Sequence, residues 1–200
     1  MLLALVRHGP TAWNAAGRIQ GRTDTSLSDS GRAAVRGWRL PADFAPVRVL
    51  SSPLLRATET AEILFGQAPA IEPRLIEMDW SAWEGRTLEE LRRDHGAAMA
   101  TNEARGLDFT PPGGESPREV QARLRPWLAE IGAGAGPAAA VTHKGVIRAL
   151  FSLALDWNMT ARAPVEPESA CLHLFEADAG GGLVARTLNL PLEERAAPPA

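Results

Sequence analysis

The chain has 200 residues, 45% of them hydrophobic and 22% charged, with a formal net charge of -3 at pH 7. That length suits one domain with a sizeable core, and the apolar share is too high for a disordered chain. The slightly acidic balance leaves no polybasic footprint, which argues against nucleic acid or an anionic membrane as partner. The one cysteine, Cys171, excludes an intrachain disulfide and any zinc site needing two thiolates. The opening apolar run, Met1 to Val6, stops at Arg7. It is too short to cross a membrane and carries no signal-peptide cleavage site, so the cytoplasm is the expected compartment.

Leu2 to Val6 reads as a strand buried on both faces. Ser28 is placed to cap a helix running to Trp38. Val47 to Leu50 is a second apolar strand, and Ser52-Pro53 offers a cap and a first-turn proline for a helix to about Phe65. A third strand is expected around Ile71 to Ile76. The stretch from about 77 to 114 has no strand pattern and reads as an excursion over the sheet edge, with one helix begun by the capping-box pair Thr87 and Glu90. Ser116 and Glu119 repeat that signature before an apolar stripe of Val120, Leu124, Trp127, Leu128 and Ile131. Ala138 to Thr142 is a fourth strand, followed by a helix from Gly145 to Leu155. Cys171 to Phe175 and Leu183 to Leu190 read as an antiparallel pair turned by Gly180-Gly181-Gly182, a loop too short for a crossover. Strands alternating with helices predict an α/β fold, a three-layer α/β/α sandwich around a mostly parallel sheet. One domain is expected over residues 1–192, with a flexible tail over 193–200.

Ligands of open α/β sheets bind beyond the carboxyl ends of the strands. Arg7 and His8 follow the first strand, Arg56 lies early in the helix after the second, Glu77 follows the third, and His143 follows the fourth. Four strand ends thus deliver ionisable groups to one side of the sheet. Two arginines suit phosphate oxygens, and a nearby helix start adds backbone donors. A neutral histidine is a competent nucleophile, kept neutral by adjacent guanidiniums, and a carboxyl group can protonate a leaving oxygen. No metal and no cofactor is required by this inventory.

Arg7-His8-Gly9 is followed by Thr11, Trp13-Asn14, Gly21 and Leu27-Ser28. Then come Ser51-Ser52-Pro53-Leu54 with Arg56-Ala57-Thr58, Leu75 with Glu77, and Trp83-Glu84-Gly85. Pro112-Gly113-Gly114-Glu115-Ser116 and Val141-Thr142-His143 with Gly145 and Ile147-Arg148 complete the series. This ordered set resembles the histidine phosphatase superfamily, which also holds the cofactor-dependent phosphoglycerate mutases. The resemblance implies a phosphoglycerate mutase-like fold, with His8 as the nucleophile that becomes phosphorylated. It implies Arg7, Arg56 and His143 around the phosphoryl oxygens, with Asn14 and backbone near Gly21 beside them. It implies Glu77 as general acid and then base, with Asp79 and Glu84 as the nearby carboxylates that compete for that role.

Three positions depart from the common pattern: Pro10 after the first motif, Ser81 in the acid-bearing segment, and Lys144 after the second histidine. Arg86 and Lys144 are candidate groups at a substrate rim. His95, His173 and Trp127 read as packing residues. The expected activity is hydrolysis of a small phosphorylated metabolite. Phosphoglycerate mutase-type transfer is the alternative; the short excursion and the absence of tyrosine weigh against it. A metal hydrolase would place a cation among arginines, and a non-catalytic phosphate-binding module would not need His8 and Glu77. Monomer and homodimer are both compatible with the sequence.

Overall fold

The structure is a computed structural model, described for residues 1–42 and 44–194. Six strands form the central sheet: β1 (Leu2–Arg7), β3 (Arg48–Ser51), β4 (Ala70–Ile71), β5 (Ala138–Thr142), β6 (Cys171–Ala177) and β7 (Leu183–Pro191). Their spatial order is β4-β3-β5-β1-β6-β7. The first four are mutually parallel, while β6 and β7 add an antiparallel edge. β2 (Trp38–Arg39) and β8 (Glu193–Glu194) make a separate two-stranded ladder.

Side-chain alternation along β1 and β5 builds the three layers. Leu3, Leu5, Ala138 and Ala140 pack with Val120, Leu124, Trp127 and Leu128 of α5 (Pro117–Ala133) and with Ile147, Leu150 and Phe151 of α6 (Lys144–Ala154). Ala4, Val6, Ala139 and Val141 face the other way, onto Val35 of α2 (Asp29–Arg36) and Ala57, Ala61 and Leu64 of α3 (Leu55–Phe65). The alanines of β5 allow helices to approach the sheet closely on both sides. The excursion carries α4 (Leu88–Glu103) and its own small cluster of Trp83, Leu91 and Met99, backed by Trp80 and Phe109. A non-helical Gly96 kinks α4.

Both expected capping boxes form. Thr87 Oγ1 accepts from Glu90 N at 3.1 Å while the Glu90 carboxylate accepts from Thr87 N at 2.8 Å, and Ser116 and Glu119 repeat the pattern. An unexpected third joins Thr11 and Asn14 at the N-terminus of α1 (Ala12–Ala15). Other boundaries differ. The helix expected to reach Trp38 stops at Arg36, because Trp38 and Arg39 pair with Glu193 and Glu194. The tail expected to be flexible from 193 is therefore strand at its first two residues; 195–200 lie outside the described residues. The third strand is only Ala70–Ile71. Pro73, which lacks an amide donor, opens a 3-10 turn over Pro73–Leu75, and the Glu72 carboxylate caps it by accepting from Arg74 N at 3.0 Å. Glu77 therefore follows a turn rather than a strand end. Ser52 does not cap α3: the N-cap is Leu54, and the free amide of Leu55 donates to Asp24 Oδ1 at 2.7 Å.

Candidate active site

Strand order places β3, β5 and β1 side by side and parallel, so the segments after Ser51, Thr142 and Arg7 emerge together at the carboxyl ends of the strands. They open into a cavity of about 630 Å³. Arg7, His8, Asn14, Gly21, Arg56, Glu77 and Lys144 all line it. His143 stands behind that wall, fully buried, its ring centroid 5.1 Å from that of His8. Arg86 does not line it, contrary to the expectation of a rim role. Its guanidinium pairs with Asp94, at i+8, on α4. The rim carries Arg18, Arg92 and Arg148 instead, interleaved with Ile19, Leu88, Trp80 and Phe109.

The His8 ring is fixed by one bond. Its Nδ1 lies 2.7 Å from the carbonyl of Gly9. A carbonyl only accepts, so Nδ1 carries the proton and Nε2 keeps its lone pair. Gly9 is itself tied by its amide to Thr60 Oγ1 at 2.9 Å, and that hydroxyl donates to the Arg56 carbonyl. A side chain on Gly9 would meet Val35 at 2.4 Å, so the close approach of α2 to this loop requires glycine. Burial, then the charges of Arg56 and Arg7, push the His8 pKa down to about 3. Burial likewise holds His143 well below the ordinary histidine range.

Arg56 reaches the cavity with no carboxylate paired to its guanidinium among the described residues. It donates to the carbonyls of Thr23 at 2.8 Å and Gly21 at 2.7 Å, and its Nε is buried without a protein partner. The loop it holds is pinned from the far side by Glu84, whose carboxylate accepts from the amides of Arg22 and Thr23 at 2.7 and 2.8 Å. Gly21, at φ 51, lies so near that a Cβ would be 2.0 Å from Glu84 Oε1. Arg7 makes one long bond, 3.3 Å to Ser169, and its Nε is also buried and unpartnered. Asn14 uses its amide oxygen on Thr11 N and Oγ1, which leaves its NH₂ donors free for the cavity.

Glu77 is held by two backbone amides, Met78 N at 2.8 Å and Gly145 N at 3.2 Å. Burial nevertheless raises its pKa, outweighing those bonds and the pull of Arg56 and Arg7. The two competing carboxylates are engaged elsewhere: Asp79 with Arg22 and the Ser81 amide, Glu84 on the loop amides. Lys144 opens α6, is exposed, and has no carboxylate partner among the described residues. Burial of its base, with Arg7 and Arg148 nearby, lowers its pKa.

The sequence offers Ser52 as a helix cap and as part of the Ser51-Ser52-Pro53-Leu54 series, with no partner for its hydroxyl. Its hydroxyl lies 2.7 Å from His143 Nε2, and it accepts weakly from Leu54 N at 3.4 Å. His143 Nδ1 is then left buried and unpartnered. The two residues are 91 positions apart, and the only sequence signal was the position of each at the end of a buried strand. No group of three or more histidine, cysteine, aspartate or glutamate side chains among the described residues is arranged to hold a metal ion. No helix among them is long and apolar enough to cross a membrane.

The arrangement joins an unprotonated imidazole nitrogen, two guanidiniums with no ion pair among the described residues and a carboxyl group with a raised pKa. Such a site can bind a phosphoryl group and exchange it between oxygen and nitrogen. The model of the histidine phosphatase superfamily, branch 1, matches residues 3–190, and the chain belongs to that family. The glucosyl-3-phosphoglycerate phosphatase of Mycobacterium tuberculosis is 36% identical over 168 residues, 76% of this chain and 74% of that protein. A mycobacterial glucosyl-3-phosphoglycerate phosphatase solved with VO3 superposes with a TM-score of 0.76 at 29% identity, covering 94% of this chain and 98% of that one. The alpha-ribazole phosphatase of Shigella flexneri superposes with a TM-score of 0.79 at 25% identity, over 94% and 96% of the two chains. At the level of the family, the chain is a phosphomonoester hydrolase of the histidine phosphatase type.

Proposed function

We propose that the enzyme hydrolyses a small phosphorylated metabolite in two steps through a phosphohistidine on His8. The observation that carries this reading is the His8 Nδ1–Gly9 carbonyl bond, which leaves Nε2 as the attacking atom beside Arg7 and Arg56. Nε2 attacks phosphorus, the ester P–O bond breaks, and the leaving oxygen takes the Glu77 proton. The Glu77 carboxylate then accepts a proton from water as its oxygen attacks phosphorus. The P–N bond breaks, inorganic phosphate departs, and His8 returns to its neutral form. Arg7, Arg56, Asn14 and the unpartnered Nδ1 of His143 supply donors to the phosphoryl oxygens throughout.

Hydrolysis is favoured over mutase transfer because the chain has no tyrosine and a short excursion. Among substrates, a glycosylated phosphoglycerate is the first to test. It is the substrate class in the names of the mycobacterial relatives, and a rim mixing Arg18, Lys144 and Arg148 with Trp80 and Phe109 suits an acid joined to a sugar face. The test is trapping with a ³²P-labelled ester, quenched in alkaline detergent. Wild type gives protein-bound label that is acid-labile and base-stable, and His8→Ala gives none while still binding vanadate. Normal turnover by His8→Ala would overturn the mechanism.

A further inference from the structure

The Pro112-to-Ser116 segment has no role in the chemistry above, yet its geometry leads to the acid. Gly114 packs so closely on Asp79 that a Cβ would lie 2.4 Å from the Asp79 carbonyl, and Glu115 N donates to that same carbonyl at 2.9 Å. The Glu115 side chain, 13% exposed, receives two guanidiniums. Arg123 of α5 donates to its two oxygens at 2.8 and 3.1 Å, and Arg22 donates at 3.3 Å. Arg22 also pairs with the Asp79 carboxylate at 3.3 Å, and the other donors of both arginines go to the backbone that leads into the acid. Arg123 bonds the carbonyls of Arg74 and, at 2.7 Å, Ile76; Arg22 Nε reaches the Glu77 carbonyl at 3.4 Å. Three of the four carbonyls from 74 to 77 are therefore gripped by two guanidiniums that share the Glu115 carboxylate, with Asp79 as a second partner of Arg22.

We infer that Glu115 is a positioning residue for Glu77: it fixes the two arginine forks that set where the acid-bearing backbone stands relative to His8. Glu115 is not part of the cavity wall, so it touches no substrate and acts only through that backbone. A carboxylate is needed because it alone accepts from both forks at once. An amide presents an NH₂ group to one of them, donor against donor. The segment that carries Glu77 is a turn rather than a strand, so besides the bond from Thr142 Oγ1 to the Leu75 carbonyl at 2.8 Å the forks are what tie its carbonyls down.

The inference rests on the proposed role of Glu77, and the experiment separates the two. Single-turnover phosphorylation of the enzyme is measured with glycerol 3-phosphate, whose alkoxide needs the proton, and 4-nitrophenyl phosphate, whose phenolate hardly does. Misplacement of a reacting group by a fraction of an ångström to 1 Å costs up to about 100-fold, so Glu115→Gln should slow the alkyl ester about tenfold and the aryl ester less than about twofold. In a Glu77→Gln background, Glu115→Gln should add no further alkyl-selective loss. Equal losses for the two esters, or a full additive loss in the Glu77→Gln background, would show a purely structural role and overturn the inference. If Glu77→Gln itself spares the alkyl ester, the reading of Glu77 as acid fails, and the inference with it. If Glu77→Gln is selective and Glu115→Gln is not, only the inference fails. Arg22→Lys, at a half-exposed site, repeats the test should Glu115→Gln not fold: the same alkyl selectivity supports the inference, and a uniform loss overturns it.

Discussion

Gly145, the second residue of α6, touches the carboxylate of Glu77, and replacing it with alanine perturbs that contact alone. A Cβ there would stand 2.5 Å from Glu77 Oε1, 3.2 Å from its Cδ and 3.4 Å from Oε2. Reaching an ordinary contact requires the carboxylate to retreat by about 1 Å. The retreat also lengthens the 3.2 Å bond from Gly145 N, one of two amides holding the group. Losing that donor pushes the Glu77 pKa further up, since it is among the forces opposing burial. A displacement of about 1 Å at a reacting group costs up to about 100-fold in rate. The helix responds oppositely: alanine is favoured over glycine by up to about 1 kcal/mol in a helix. Gly145→Ala should therefore lose kcat/KM toward alkyl phosphates by one to two orders of magnitude while its Tm holds or rises. Steady-state kinetics with glycerol 3-phosphate and thermal unfolding followed by circular dichroism measure the two. Unchanged kcat/KM would refute the contact as a determinant of the acid's position. Loss of activity with a fall in Tm would show damage to the helix instead.

Stability should fall with acid well before the carboxylates titrate. His8 is held at a pKa of about 3 and His173 at about 4, with His143 also far down, whereas each titrates near 6.5 when unfolded. Below pH 6.5 the unfolded chain binds protons the native state refuses, so stability present above that pH is lost toward pH 4, by up to about 1.4 kcal/mol per pH unit per histidine. Urea unfolding at pH 7.5 and 5.0 should show the drop, and His8→Gln should make it shallower; a flat profile would mean that the buried rings are protonated. At the rim, Lys144→Ala should raise KM several-fold more for a phosphate ester with a carboxylate in its leaving group than for 4-nitrophenyl phosphate. Equal changes would show that the Lys144 ammonium serves no acid group.

The strand-end groups could be read from sequence because a strand buried on both faces is an unbroken apolar run, and its end is visible as the first polar residue. Arg7, His8 and His143 are such residues, and the structure brings them together with Arg56 and Glu77. What local pattern does not encode is which polar group bonds to which across the chain. Ser52 has the spacing of a helix cap, but its hydroxyl meets His143. Arg86 lies in the acid-bearing segment, yet Asp94, almost two helix turns into α4, claims its guanidinium. The strand expected through Ile76 ends at Ile71, because Pro73 and the Glu72 cap favour a turn over the apolar pattern that follows. The pairing of Trp38 with Glu194 spans almost the whole chain, beyond the reach of any short-range signal.

The site has two mechanical halves. His8 and the His143–Ser52 pair hang from three neighbouring strands whose register matches residue for residue, so their mutual spacing is as stiff as the sheet. Glu77 and the rim residues Trp80, Leu88, Arg92 and Phe109 belong to the excursion, which is anchored by Met78 in the main core, by its own small cluster and by a few arginine forks. Insertions, deletions and substitutions in the second half can therefore reshape the space around a leaving group without moving the atoms that face phosphorus. A chain built this way is free to exchange one ester for another while the phosphoryl-handling half stays the same.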